Sequence, residues 1–554
     1  MPDGITTGVA QSPVGLHFTD VTDAAGIRYV HRSGGTGRKY LYETMIGGIV
    51  FADFDRDDLP DVIAVSPASD SDEEPSARTL VIFRNRGDGT FEDVTDDLLR
   101  NPPSMALSAT LADVDGDGWP DLYVSCLGPN RLYLNREGRQ LEDVTGAWNA
   151  SGADDAFTTV TLATDIDGDG DIDLVNGNYV AWSPGIEAKV RQSLDGDRDG
   201  FLDPRLFSGD PLEVLLNQFP DPLLANTSTT EGENGLLWDT TSYPGKVLGL
   251  IDVDVDEDGD MDLLVGNDTI RNFAFRQTQS RVYEEAGNQL GFSYDGRGIA
   301  TSSMGMDSAW LPPDLTLHVA VGNFSSEMTS LFRWQSPGLF LETAPISGIG
   351  VPTRKALTFG ALFGDLDLDG AIDFIQVNGH IQPDISVNSS HESYRQRPQL
   401  FLQCTNCAKT FELVPHEATG DLAHPAPARG LAVADFDNDG DLDLLISAVD
   451  EPLRLLRNDQ VNARNWLKIR LKGRAANRAA IGAVVDVEAG SLVQRRQVKS
   501  VHSYLSQSES TLHFGLGEHE TVARIRVRWP DGSIQELGAQ PARQLLVIAK
   551  NSTD

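Results

Sequence analysis

The chain has 554 residues, 40% hydrophobic and 23% charged, enough for several domains or one large repeat architecture and too apolar for a disordered chain. A formal net charge of −39 disfavours nucleic-acid phosphates and anionic lipids as partners. No apolar run is long enough to span a membrane as a helix, and three cysteines do not make a disulfide scaffold.

The N-terminal MPDGITTGVAQSPVG has no basic n-region and no apolar h-region, so either a cytoplasmic location or a leader already removed is expected. Phe18-Thr-Asp-Val-Thr22 reads as the fourth strand of a repeat that has not yet begun. It is expected to complete the last repeat and close a ring, which removes exposed sheet edges.

From Asp53 onward one pattern recurs: a short apolar run, Asp-x-Asp-x-Asp-Gly-x-x-Asp, and a second apolar run. The first copy is Asp53, Asp55, Asp57 and Asp61, with Asp58 in the glycine position. Aspartate tolerates positive φ better than most residues. Copies follow at Asp113, Asp115, Asp117 and Asp121, and at Asp165, Asp167, Asp169 and Asp173. Three more stand at Asp254, Asp256, Asp258 and Asp262, at Asp365, Asp367, Asp369 and Asp373, and at Asp435, Asp437, Asp439 and Asp443. The run Met304-Gly-Met-Asp307-Ser-Ala-Trp310 keeps the flanking strands without the acids and reads as a decayed copy starting at 307. Seven units result, with an insertion placed at about 181–245.

Strand signals such as Leu80–Asn85 and Arg131–Asn135, with glycine-bearing turns between them, fill each unit. Short strands in units of this length predict four-stranded blades. The expected fold is all-β: a seven-bladed β-propeller over 15–460 and a small β-rich domain over 461–550.

Alternating acids at loop positions 1, 3 and 5 put three oxygens inside a tight turn, glycine at 6 permits the turn, and the acid at 9 closes the sphere. Hard oxygen ligands at this spacing suit Ca²⁺ better than Mg²⁺ or Zn²⁺. A carboxylate fixed on a metal is a poor general base, so ligation is favoured over catalysis. The insertion carries the same spacing out of register at Asp195, Asp197, Asp199 and Asp203, expected to pin a long excursion over one face. About six to seven ions are expected.

The strand after each loop should lead to the opposite face, where its end lines a funnel. Asn178, Tyr179, Asn267, Asp268, Asn323 and Asn378 fall there as candidate ligand contacts, or as strand-end caps. His380 is either a ligand contact or general acid/base, or a turn histidine bonded to backbone. Cys404-Thr-Asn-Cys407 lacks a second pair for zinc and reads as a local disulfide or a reduced pair, and Cys126 as a buried thiol. Arg470, Lys472, Arg474, Arg478, Arg495, Arg496 and Lys499 make a basic region, read as complementing the acidic propeller or as a surface for an acidic ligand.

The loops and strands resemble the FG-GAP/VCBS repeats of integrin α-chains and secreted bacterial proteins. Asn465-Trp-Leu467, Asn477-Arg478, Ile481-Gly-Ala483, Ser503-Tyr-Leu-Ser-Gln-Ser508, Leu512-His-Phe-Gly-Leu-Gly517 and Val527-Arg-Trp-Pro-Asp-Gly532 are similar to the ASPIC/UnbV domain. Together they resemble the cartilage acidic protein family. The resemblance implies calcium binding and an extracellular or cell-envelope setting. The expected function is a calcium-dependent binding scaffold, with a protein or small molecule at the propeller face. The UnbV label implies the alternative, a calcium-dependent cyclase, isomerase-type or tailoring enzyme of natural-product biosynthesis using the funnel around His380. No nucleophile elbow, phosphate loop or zinc signature is present in the sequence.

Overall fold

The computed structural model describes residues 15–551 except 36, 68–77, 189–199, 220, 227–236, 280, 336–337, 406, 461–463 and 475. Runs such as Asp61–Val65 and Asp443–Ala448 are too short for helices and are buried along their whole length. That is the pattern of strands held inside stacked sheets.

Among the described residues, seven sheets each contain a four-stranded antiparallel meander. Their first strands are Ile49–Ala52, Ala106–Ala112, Thr158–Thr164, Val247–Val253, Met306–Leu311, Thr358–Gly364 and Ala428–Ala434. Each first strand lies against the first strand of the next sheet, and Ala428–Ala434 returns to Ile49–Ala52. The result is a propeller-like ring around an axial channel. Small residues allow the close approach: a Cβ on Gly305 would lie 2.2 Å from the carbonyl oxygen of Phe359. Apolar clusters fill the gaps between neighbouring sheets, as with Val50, Ile63 and Ile82 against Ala109, Leu122 and Val124. Phe18–Asp20 pairs with Arg454–Asn458 as the outermost strand of the seventh sheet, so the chain's start and the last repeat close the ring together.

Two sequence expectations need correction. The fifth repeat does not begin at 307. Asp307 lies within the first strand Met306–Leu311, and the loop is the four residues from Pro312 to Leu315, because Leu311 pairs with Thr316. In the fourth sheet Val253 pairs with Asp262 across eight residues. Half the loop is gone, which leaves no room for four ligand positions. The stretch 181–245 is also not a single insertion. It contains Glu213–Gln218 and Asp221–Asn226, the third and fourth strands of the third sheet.

The C-terminal part adds a three-stranded sheet centred on Asn465–Lys472 and a four-stranded sheet built on Val484–Ala489. The segment 497–509 enters the axial channel and meets every sheet of the ring. Ser506–Ser508 pairs in parallel with Ile49–Phe51 of the first sheet. The Gln507 amide accepts from Leu111 N at 2.6 Å and donates to Leu111 O at 3.0 Å in the second. Ala163 N donates to Ser500 Oγ in the third, and Gln497 Nε2 donates to Asp252 O in the fourth. Ser503 exchanges backbone bonds with Met306 of the fifth, and its Oγ accepts from Ala361 N of the sixth. Val433 N of the seventh donates to Ser508 Oγ. The inner strands would otherwise leave these backbone groups unpaired in a channel. Val501, Tyr504 and Leu505 meanwhile join an apolar cluster with Leu107, Leu248, Met304 and Phe359.

Candidate functional site

The acid loops lie between the first and second strands of six sheets. Each turns through positive φ at its fourth and sixth positions: Arg56 and Asp58 in the first loop, Glu257 and Gly259 in the fourth. Asp58 thus adopts the conformation that glycine holds in the other five. The first-position acids orient the turn, as where Gly170 N donates to Asp165 and Gly259 N to Asp254.

Carboxylate oxygens converge in these loops. Those of Asp113, Asp115 and Asp121 lie within 4.8 Å of one another, as do those of Asp165, Asp167 and Asp173, of Asp254, Asp256 and Asp262, and of Asp53, Asp55 and Asp57. Several are buried without a hydrogen-bond donor: both oxygens of Asp113, and Oδ1 of Asp55, Asp435 and Asp437. Burial, together with neighbouring Asp115 and Asp117, pushes the Asp113 carboxyl up to about 7. Burial with Asp169 and Asp167 pushes Asp165 up to about 7 as well. Orphaned, crowded carboxylate oxygens are a donor set suited to a hard cation. Of the insertion's acids, Asp195, Asp197 and Asp199 lie outside the described residues. The Asp203 carboxylate is bound by the Arg205 guanidinium, at 3.0 Å from Nε and 2.5 Å from NH2.

The ninth-position acids have a second role that spacing did not reveal. Asp121 accepts from Val114 N at 2.9 Å and from Asn135 N at 2.8 Å, tying its own loop to the third strand. Asp61, Asp173, Asp262, Asp373 and Asp443 repeat this bracket. The third-strand residue then reaches back to the preceding sheet. Asn135 Nδ2 donates to Phe54 O, Asn217 Nδ2 to Val114 O, and Asn458 Nδ2 to Leu366 O. Asn85 closes the ring by donating to Phe436 O. The recurring Asn at the end of Leu80–Asn85 and Arg131–Asn135 was the available signal.

On the opposite face a cavity of about 440 Å³ lies at the mouth of the channel, with Asp268, Phe324 and His380 in its lining. The side-chain amides of the predicted funnel asparagines donate to backbone carbonyls of the connectors beyond their strands, while Asn323 Oδ1 is buried with no partner. Asn178 Nδ2 donates to Pro211 O, Asn267 Nδ2 to Arg271 O, Asn323 Nδ2 to Met328 O, and Asn378 Nδ2 to Arg397 O, the pattern of strand-end caps. The Tyr179 hydroxyl donates to Asp268 at 2.5 Å. Burial pushes the Asp268 carboxyl up to about 6, although Tyr179 and Ser302 bond to it. His380 Nδ1 accepts from Gln382 N at 3.0 Å, so the neutral ring carries its proton on Nε2. Burial lowers its pKa to about 4, and the ring stays neutral near pH 7. Such an imidazole can donate a hydrogen bond but has no spare lone pair to take a proton. Arg429, 1% exposed, lies nearby with its guanidinium over the Phe359 ring at 3.9 Å and bonded to the carbonyls of Thr44, Gly379 and Ala428.

The FG-GAP-like repeat model matches residues 53–124 and 113–175, and the ASPIC and UnbV model matches residues 473–554. The chain carries FG-GAP repeats and an ASPIC/UnbV domain. Human cartilage acidic protein 1 is 24% identical over 459 residues, covering 79% of this chain and 61% of that protein. The chain therefore spans less than two thirds of that relative's length. The Xenopus tropicalis protein of the same name is 36% identical over 121 residues, covering 21% of this chain and 18% of its own. Among solved structures, an Agrocybe aegerita lectin that recognises non-reducing terminal N-acetylglucosamine has a TM-score of 0.42 at 13% identity, covering 74% of this chain and 94% of that one. YCF48, solved with a bound peptide, has a TM-score of 0.41 at 8% identity, covering 82% and 99%.

The ASPIC/UnbV domain and the strand leading into it bring cations to the acid loops. Lys468 Nζ lies 2.7 Å from Asp435, Arg464 NH1 2.8 Å from Asp367, Arg528 NH1 3.6 Å from Asp254, and Arg478 Nε 3.7 Å from Asp113. Arg470 pairs with Asp58. The third loop is met instead by Arg281 of the fourth sheet, 3.5 Å from Asp167. One or two cations against four acids leave each loop negative. Cys404 and Cys407 form a disulfide, and burial pushes the Cys126 thiol up to about 12. No helix among the described residues is long and apolar enough to cross a membrane.

Proposed function

We propose that the chain is a calcium-dependent interaction scaffold: six FG-GAP loops take Ca²⁺, and the rigid ring presents its opposite face to a protein or small-molecule partner. The observation that supports the calcium assignment is the convergence of carboxylate oxygens at loop positions 1, 3 and 9 in three loops and 1, 3 and 5 in the first, several of them buried with no donor. Each of these sets is met by one or two arginines, which is too few cations to neutralise four acids. Asp53, Asp55, Asp57 and Asp61 and their five counterparts would be the ligands, and the ninth acid would hold the loop to its sheet whether or not an ion is bound. Asp203, already bound by Arg205, is the weakest ligand of the original set. An extracellular or cell-envelope setting, where free Ca²⁺ is abundant, belongs to the same reading.

Isothermal titration of EDTA-treated protein with Ca²⁺ tests it. Uptake of several ions per chain, with a rise in melting temperature that grows with free Ca²⁺, is the expected result. No uptake at millimolar Ca²⁺ would leave the arginine contacts as the loops' only counter-charge and sink the assignment.

A further inference from the structure

The cavity on the opposite face is distinct from the metal loops and is built for a different ligand. It opens between the ends of three neighbouring sheets, and the residues from Phe201 to Arg205 close one side. Its floor is apolar, formed by Leu248, Met304, Phe324 and Phe359. Its wall holds four carboxylates, those of Asp203, Asp268, Glu327 and Glu392, against one guanidinium, that of Arg205.

Arg205 is already bound to Asp203. The other three carboxylates are held only by neutral donors. Asp268 takes the hydroxyls of Tyr179 and Ser302, Glu327 takes Ser302 N at 2.9 Å, and Glu392 takes the hydroxyls of Ser325 and Ser389. Among the described residues no Lys or Arg forms an ion pair with any of the three. Lys246, the nearest ammonium to Asp268, donates to Pro204 O at 2.8 Å. Arg429 is committed to the Phe359 ring and to backbone carbonyls.

A second signal comes from a neutral group. Gln382 is 8% exposed and lines the same cavity, and its Oε1 is buried with no donor. Thr269 Oγ1, in the same lining, is also without a partner. Buried acceptors without donors carry a desolvation cost that a ligand N–H would remove. An ammonium offers three such donors and one positive charge, and brings no acceptor that would compete with the wall. The apolar floor requires that the cation carry a hydrocarbon or aryl body. A volume of about 440 Å³ is of the size that encloses a small molecule.

We propose that this cavity binds a small amphiphilic amine, its ammonium among Asp268, Glu327 and Gln382 and its apolar body on Met304, Phe324 and Phe359. The site is independent of the calcium assignment. Its occupant is an organic cation and not a metal, because the floor it must also cover is hydrocarbon.

The test is calorimetric titration of the full chain at pH 7.5 with 2-phenylethylammonium, with its neutral isostere 2-phenylethanol, and with Mg²⁺ alone. The amine is expected to bind at least about tenfold more tightly than the alcohol. Asp268→Asn and Glu327→Gln are each expected to weaken the amine about fivefold or more without changing the alcohol. Glu327 is only half-buried, and a glutamine there can still accept from Ser302 N, so its variant reports on binding even if Asp268→Asn folds poorly. Equal affinity for amine and alcohol, no binding of either, or amine affinity unchanged in Glu327→Gln would overturn the proposal. Displacement of the amine by Mg²⁺ would overturn it too, since the carboxylates would then form an inorganic cation site.

Discussion

Lys499 Nζ lies 2.6 Å from Oδ1 of Asp307, a carboxylate 1% exposed on the first strand of the fifth sheet. His502 Nδ1 lies 3.2 Å from the same oxygen, and Phe363 N of the sixth sheet donates to the other. The sheet that lacks an acid loop thus receives its charge compensation from the C-terminal segment in the channel. Burial alone would raise the Asp307 carboxyl, but Lys499 and His502 more than offset it and hold it below the usual carboxylate range.

Lys499→Met should therefore destabilise the protein by about 3–5 kcal/mol, the usual cost of stripping one partner from a buried pair. The double variant Lys499→Met with Asp307→Asn should recover part of that loss, measured from urea unfolding at pH 7. Because the folded carboxyl is depressed, the pair's contribution is present above the unfolded carboxylate pKa and is lost as pH falls through the folded one. A single variant within about 0.5 kcal/mol of wild type would show the pair to be solvated.

The two kinds of loop aspartate should separate on mutation. Asp121 holds two buried backbone N–H groups, so Asp121→Ala leaves both unpaired and should cost about 2–4 kcal/mol with or without Ca²⁺. Asp113 has no donor on either oxygen. Asp113→Asn should relieve crowding in the metal-free chain and raise its melting temperature slightly, while reducing the number of bound ions by one. Melting curves in EDTA and in excess Ca²⁺ distinguish the two behaviours.

Buried histidines predict an acid-sensitive fold. Burial lowers both His31 and His318 to about 4, and His318 Nδ1–H donates to Thr316 O at 2.9 Å. Their unfolded-state pKa is about 6.5. The unfolded chain therefore takes up protons first as pH falls, so stability should be greatest above about 6.5 and decline toward about 4. A shift of this size is worth on the order of 3 kcal/mol per residue. His318→Asn keeps an amide N–H for Thr316 and removes the titration. Its urea midpoint should fall less than that of wild type between pH 7.5 and pH 5.

Much of the ring was legible because its signals are chemical and periodic. Acids at fixed spacing mark six turns, and Phe18-Thr-Asp-Val-Thr22 has the composition of a missing outer strand. Asp307 misled because it is an acid beside apolar residues, the same local signal as a loop start. Only pairing of Leu311 with Thr316 shows that the loop is half-length. The funnel asparagines looked convergent because all stand at strand ends, which is also where an amide can cap its own strand. Least legible was Ser503-Tyr-Leu-Ser-Gln-Ser508. Serine and glutamine usually mark a solvated surface, and nothing in their order says that their partners lie on five different strands, the nearest of them 75 residues away.

That segment gives the most direct test of how the two parts cooperate. In the full chain the amides of Leu111, Ala163, Ala361 and Val433 are each bound by a side chain of the C-terminal segment. Hydrogen exchange should find all four protected nearly as well as the central strands. Gln507→Leu keeps most of the volume but strips Leu111 of both a donor and an acceptor, at about 2–4 kcal/mol. If the segment docks loosely, exchange should quicken at Leu111 alone. If the channel and its filling fold as one unit, exchange should quicken at all four positions together, because losing one tie lowers the free energy of the whole. The segment touches every sheet and buries Tyr504 and Leu505 in their shared core, so the second pattern is the expected one.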